Sequence, residues 1–110
     1  MFGYAEILFE LMILQTLKQL TGYEFIQEFR FHEQRKWRFD YCHVESKTAI
    51  EIEGGAWTNG RHTRGKGFIG DMEKYNMAIV EGWVILRFTP GQMNESKTFE
   101  LIKTVIKQRL

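Results

Sequence analysis

Cysteine is nearly missing from this chain: Cys42 is the only one in 110 residues. A lone thiol excludes an intramolecular disulfide framework and a thiolate metal cluster. Inside an alternating run it reads as a buried strand residue rather than a nucleophile. Long apolar runs are missing too. The most hydrophobic stretch, "YAEILFELMILQTL" from Tyr4 to Leu17, is interrupted by Glu6 and Glu10 and falls short of the about 20 residues a membrane-spanning helix needs. It carries neither the basic leader nor the small-residue cleavage site of a signal peptide. A cytoplasmic, intracellular protein with no membrane partner is therefore expected. Charge of one sign is lacking as well, since 15 Lys and Arg against 14 Asp and Glu leave a net charge of +1. Nothing global announces a polyanionic partner. No internal repeat or low-complexity tract appears.

What is present suits one folded domain. Hydrophobic residues make up 44% and charged residues 26%, which argues against disorder, and the length allows a single domain over residues 1–110. The charges are unevenly placed. Before Arg30 the only cation is Lys18, against Glu6, Glu10, Glu24 and Glu28. From Arg30 to Lys66 follow Arg35, Lys36, Arg38, Lys47, Arg61 and Arg64, with His32, His43 and His62 among them. That local bias is more informative than the sum.

Ile7, Leu8, Leu11, Leu14 and Leu17 recur at helical spacing and predict a first helix over about Tyr4–Leu20, ended at Thr21–Gly22. Three alternating runs follow: "FIQEFRFHEQ", "KWRFDYCHV" and "TAIEIEGG". They predict antiparallel strands with a turn at Glu45–Thr48. The stretch from Gly54 to Gly70 holds six glycines and no acid, and predicts a long loop of the kind that is usually functional. "DMEKYNMAIVEG" predicts a helix with Asp71 as N-cap and Gly82 just past its end. "WVILRFT" predicts a strand buried on both faces, and "ESKTFELIKTVIKQRL" a final amphipathic helix with Phe99, Ile102, Val105 and Ile106 inward. Trp83 and Tyr75 read as core. The expected class is α/β (α+β): a mixed sheet flanked by helices, in the order α-β-β-β-α-β-α.

Three carboxylates stand out in the strand segments: Asp40, Glu51 and Glu53. A buried carboxylate is costly unless its charge is compensated. Asp40 and Glu51 lie about equally far from the Glu45–Thr48 turn, so strand pairing would bring them close. Facing carboxylates repel unless a cation intervenes, and hard oxygen donors suit Mg²⁺ or Mn²⁺. The competing reading is a half-exposed sheet face, with Asp40 paired to Arg38 or Lys36 and the glutamates to neighbouring cations. Against it stands the basic, glycine-rich stretch directly after Glu53, where backbone and cations would meet phosphate. A metal beside phosphate binders is the recurring arrangement of phosphoryl transfer.

This element order, with "D-x10-E-x-E-G-G", resembles the PD-(D/E)XK nuclease superfamily, which includes type II restriction enzymes and archaeal-type Holliday junction resolvases. The run "RKWRFDY … AIEIEGG" through "GRHTRGKGF", "EKYN" and "ILRFT", from about Glu28 to Thr89, is similar to a group of small phage and bacterial nuclease-like proteins. The resemblance implies a restriction-endonuclease-like fold and a Mg²⁺-dependent endodeoxyribonuclease, with Mn²⁺ able to substitute. It implies Asp40 and Glu51 as metal-binding acids, the Ile52 carbonyl in the metal shell, and a first-helix glutamate beside them, assigned to Glu10 rather than Glu6. The chain departs from the pattern at position 53, where the superfamily's catalytic lysine is replaced by Glu53. Lys74 on the following helix is the candidate substitute, and Glu53 itself is a candidate second-metal or water-mediated group.

The cations complete the expectation. Arg61, His62, Arg64 and Lys66 would track phosphates, and Arg35, Lys36 and Arg38 would widen that surface. So small a domain has little room for a separate sequence-reading module, which favours branched DNA, and paired cuts at a symmetric junction suggest a homodimer. Phe2, Phe9 and Met12 on the first helix are the candidate interface. Two competitors remain open: a nickase, repair or mobile-element endonuclease acting on duplex DNA, and a catalytically inactive nucleic-acid-binding module.

Overall fold

A computed structural model describes residues 3–54 and 65–110, with residues 65–68 described by backbone alone. Helix α1 spans Tyr4–Thr21, and strands β1 (Ile26–Arg30), β2 (Arg38–His43) and β3 (Thr48–Ile52) follow. Helix α2 (Gly65–Val80) leads to β4 (Val84–Phe88), and a short 3₁₀ turn at Gly91–Asn94 precedes α3 (Ser96–Arg109). Among the described residues the result is an α+β domain with three helices and a four-stranded mixed sheet in the order β1-β2-β3-β4. The β1–β2 and β2–β3 pairs are antiparallel, and the α2 crossover makes β3–β4 parallel.

The sheet is covered on both faces. Ile13 and Leu17 of α1 meet Phe99, Ile102 and Ile106 of α3 over Tyr41, Ile50 and Phe88. On the other face Ala78 of α2 packs with Trp83, Phe31, Phe39, Cys42 and Ala49. Ile50, Ile102 and Ile106 are wholly excluded from solvent, each burial contributing about 1.5–3 kcal/mol. Cys42 is equally buried, and burial pushes its thiol up to about 12, so it is an inert core residue.

Helix ends follow the glycines. Gly22 (φ 81) donates its N–H to the Lys18 carbonyl and closes α1. Gly82 (φ 89) closes α2: its N–H reaches the Ile79 carbonyl, and that of Trp83 reaches Ala78. This is the paired-bond arrangement that a left-handed residue permits. The turn between β2 and β3 falls at residues 44–47, one residue earlier than the polar run suggests, and Thr48 opens β3 as a buried strand residue.

Several expectations change. Helix α2 starts at Gly65 rather than after Asp71, so Asp71 is an interior residue and not the N-cap. Glycines at 65, 67 and 70 each cost about 1 kcal/mol against alanine in a helix, which is why the sequence reads as loop there; once a helix is nucleated, propagation extends it backwards. β4 lies at the edge of the described sheet with Arg87 exposed. The strand buried on both faces is the central β3, where Thr48 through Glu51 are all buried. Ile7, Leu8 and Leu11 of α1 are exposed, and the inward face runs through Ile13, Leu17 and Thr21. Val105 is half-buried and not fully inward.

Candidate active site

Alternation fails at one place in β1 and β2, and that place makes the site. Residues two apart in a strand should share a face. Yet Phe39 packs on the α2 side while Tyr41 packs on the α1–α3 side. In β1, Phe25 and Phe29 are likewise divided between the two faces. The switch falls at Glu28, whose backbone sits at φ 50, a costly conformation for a non-glycine residue that concentrates at functional sites. As a result each strand presents two consecutive residues, Gln27–Glu28 and Asp40–Tyr41, to a cleft of about 160 Å³. Glu6, Phe9 and Glu10 of α1 and Ile52 of β3 complete its lining. The Tyr41 hydroxyl donates to the Glu10 carbonyl at 3.0 Å and fixes the helix over the cleft.

β2 and β3 part at the same level. Their ladder runs from His43↔Thr48 to Tyr41↔Ile50, and beyond it the two carboxylates bridge the gap in place of backbone carbonyls. The Asp40 N–H donates to Glu51 Oε2 at 2.8 Å, and the Ile52 N–H donates to Asp40 Oδ2 at 2.8 Å. Each acid is thereby locked to the other's strand by a charge-assisted bond. Glu51 is 5% exposed. Its Oε1 receives the Lys74 ammonium from α2 and, at 3.4 Å, the Tyr75 hydroxyl.

The electrostatics follow from burial and crowding. Desolvation raises the Asp40 carboxyl above its ordinary value, with Glu28 and Glu10 adding to the effect and the Ile52 N–H and Lys74 opposing it. Glu51 is raised first by burial and then by Asp40, against the pull of Lys74. Glu28 is raised by burial and by Glu10, with Arg38 opposing. Like charges held close resist ionising together, so the cleft concentrates negative charge that a cation would relieve.

Of the residues expected from sequence, Glu10, Asp40 and Ile52 line the cleft, while Glu51 and Lys74 meet beside it. Glu53 is elsewhere. It forms a two-bond ion pair with Arg87 of β4, through Nε to Oε2 and through Nη2 to Oε1 at 2.8 Å. That pairing holds its carboxyl below the usual range. Arg38 is exposed at the cleft's margin beside Glu28. Arg35 stacks over Trp37 at 4.2 Å and pairs with Glu73 at 3.5 Å, and Lys36 is exposed in the β1–β2 connection. Arg61, His62 and Arg64 lie outside the described residues, and Lys66 is placed only as part of the first turn of α2. Tyr75 is no core residue; it is half-buried against Glu51.

Glu28 and Tyr75 were not visible as site residues. Glu28 sits in an alternating run where it reads as an ordinary outward-facing charge; it stays exposed, and its left-handed backbone sets it at the cleft. Among the described residues no three His, Cys, Asp or Glu side chains converge tightly enough to hold a metal ion as they stand. The donors are nevertheless hard carboxylate oxygens of the kind that suit Mg²⁺. No helix among the described residues is long and apolar enough to cross a membrane. Compared with known proteins, the chain matches no family model, no curated protein and no solved structure.

Proposed function

We propose that this protein is a Mg²⁺-dependent endodeoxyribonuclease with a restriction-endonuclease-like fold, acting as a homodimer on branched DNA in the manner of a junction resolvase. One observation carries the reading: Asp40 and Glu51 bridge the parted ends of β2 and β3, and a lysine from the next helix, Lys74, is delivered onto Glu51. That places an acid pair and an ammonium together although position 53 of this chain is glutamate. The lysine comes from α2 rather than from β3.

Asp40 and Glu51, with the Ile52 carbonyl and Glu10, would hold the cation, and Mn²⁺ would serve in its place. When bound, it would supply a nucleophilic hydroxide at neutral pH and offset charge on the phosphate. The chain's own groups do the rest. Lys74, 14% exposed, orients Glu51 and is positioned to hold or yield a proton beside it. Burial of Asp40 and Glu51 strengthens each interaction they make with a cation. Arg38 at the cleft's margin, with Arg35 and Lys36 on the connecting segment, would meet the DNA backbone and fix its register without reading sequence. The expected contacts from Arg61, His62, Arg64 and Lys66 belong to the same reading.

The test is cleavage of a four-way junction against a linear duplex of the same sequence, each with and without Mg²⁺. Mg²⁺-dependent cutting of the junction in preference to the duplex is the expected result. Equal cutting of both would replace the junction by ordinary duplex as substrate. Asp40→Asn and Glu51→Gln should each abolish cleavage while DNA binding persists. If both variants cut at the wild-type rate, the acids named here are not the site.

A further inference from the structure

The parallel register sets Arg87 of β4 directly beside Glu51 of β3, on strands spaced about 4.8 Å apart. Glu51 is a buried carboxylate, and Arg87 carries a permanently charged fork of donors. Left to themselves, these two would form the cross-strand ion pair. They do not. Arg87 turns along the strand to Glu53 and makes both of its carboxylate bonds there. Its guanidinium then lies 4.6 Å from the centre of the Tyr75 ring, and the Tyr75 hydroxyl faces Glu51 Oε1. Tyr75 thus touches both the arginine and Glu51, and the only cation paired with Glu51 among the described residues is Lys74.

We infer that Glu53 is a positioning residue that withholds Arg87 from Glu51, so that a lysine and not an arginine governs the buried carboxylate. The distinction is chemical. A guanidinium would grip both carboxylate oxygens in a fixed bidentate pair and would never release a proton, whereas an ammonium is a single-point donor that leaves the second oxygen to its other partner and exchanges its proton. Glu51 already uses Oε2 for the Asp40 N–H and Oε1 for Lys74, and a bidentate arginine would share the first oxygen and compete with the lysine at the second. An acid at position 53 therefore serves the site through its partner. The inference rests on the nuclease reading for its consequence, but its electrostatic content does not depend on that reading.

The experiment compares wild type, Glu53→Gln, Arg87→Gln and the double variant in two measurements. The first is Mg²⁺-dependent junction cleavage. The second is the rate at which Lys74 is acetylated by a water-soluble acylating reagent, followed by mass spectrometry of its peptide in the metal-free protein. The Glu53–Arg87 pair is half exposed, so its loss alone costs at most about 1 kcal/mol and the variants should fold. Glu53→Gln should free Arg87 to take Glu51, expose the Lys74 amine to faster acetylation and slow cleavage about 100-fold, the scale of a lost proton-transfer group. Arg87→Gln should stay within about threefold of wild type in both measurements, and the double variant should return there with it, because the competing cation is gone. A double variant as slow as Glu53→Gln would mean that Glu53 acts on the reaction itself and would overturn the inference. So would Arg87→Gln as damaged as Glu53→Gln, because the pair would then be a simple strut. Unchanged Lys74 acetylation in Glu53→Gln overturns it whatever the cleavage shows. If wild type cuts nothing yet Lys74 reactivity follows the expected pattern, the nuclease reading falls and the charge-steering role of Glu53 stands.

Discussion

Replacing Lys74 by methionine is the most telling perturbation, because it separates a buried counter-charge from a surface decoration. The side chains of Lys74 and Glu51 are 14% and 7% exposed, so their pairing is nearly as dry as a core contact. Removing one partner of a buried ion pair typically costs about 3–5 kcal/mol, since the other charge is left uncompensated. Glu51 would keep the Asp40 N–H and the Tyr75 hydroxyl. Those two donors reduce the expected loss for Lys74→Met to about 2–4 kcal/mol at pH 8. For a chain of this length about 4 °C of melting temperature corresponds to each kcal/mol, which makes the change easy to read.

The pH dependence is the sharper part of this prediction. In the wild type the Glu51 carboxyl already lies above its ordinary value because of burial and Asp40, with Lys74 pulling the other way. Without Lys74 it rises further. A carboxyl whose folded pKa exceeds its unfolded one binds a proton more readily in the native state, so stability is retained below the unfolded value and lost as pH climbs through the folded one. The deficit of Lys74→Met relative to wild type should therefore be small near pH 5 and grow towards pH 8. Urea unfolding of both proteins at several pH values in EDTA would measure it. A deficit below about 1 kcal/mol at pH 8 would mean that Lys74 behaves as an exposed lysine. A deficit independent of pH would mean that it does not neutralise Glu51. Either outcome removes the observation on which the proposed function rests.

Other outcomes follow from particular residues. Arg38→Ala should weaken DNA binding at all sequences and lower the slope of log affinity against log salt by about one unit, because one phosphate contact is lost; an unchanged slope would place the DNA away from this side of the cleft. Gly82→Ala should cost about 1–2 kcal/mol in urea unfolding, since φ is 89° and the nearest neighbour of an added Cβ, Lys47 Cδ at 3.6 Å, offers no clash to relieve; a neutral result would mean that the end of α2 readjusts. Of the expected interface residues Phe2 lies outside the described residues and Phe9 packs against the core, which leaves Met12 with the exposed Leu8 and Leu11; sedimentation at micromolar concentration should show a dimer through this face of α1, and Leu11→Glu should yield monomer. A wild type that is monomeric there would remove the homodimer from the proposal.

How much of this was readable from the residues depended on the range of the interaction that decided each feature. Gly22 and Gly82 end helices through bonds reaching only a few residues, and both were legible. The alternation of Ile50 and Glu51 is a property of one strand. The proximity of Asp40 and Glu51 needed only the turn at 44–47 as a fold line. The reversal of faces at Glu28 was not legible, because nothing local demands φ 50 of a glutamate; the pull of the cleft, the α1 helix and the paired strand does. β4 looked like a central strand because an apolar run states its own preference and not the number of its neighbours. Its place at the edge is set by the crossover through α2, and half-burial of Ile85 on the α2 side and of Leu86 on the α1–α3 side is enough to favour an apolar run.

Glu53 shows the same boundary within the site. As a residue in sequence it is a substitution at a position where the resembled nucleases keep a lysine, and the natural inference is that it must act at the reacting centre. The register of β3 with β4 joins residues 34 apart, and only that register shows Arg87 standing where it would seize Glu51. Charge at a site is a matter of which pairs form and which are prevented. A glutamate two residues from the buried acid is the least disruptive way to divert an arginine whose stem must stay on β4. The carboxylate that looked like a lost catalytic lysine is then intelligible as the partner of an arginine, and the ammonium that meets Glu51 comes from α2, on Lys74.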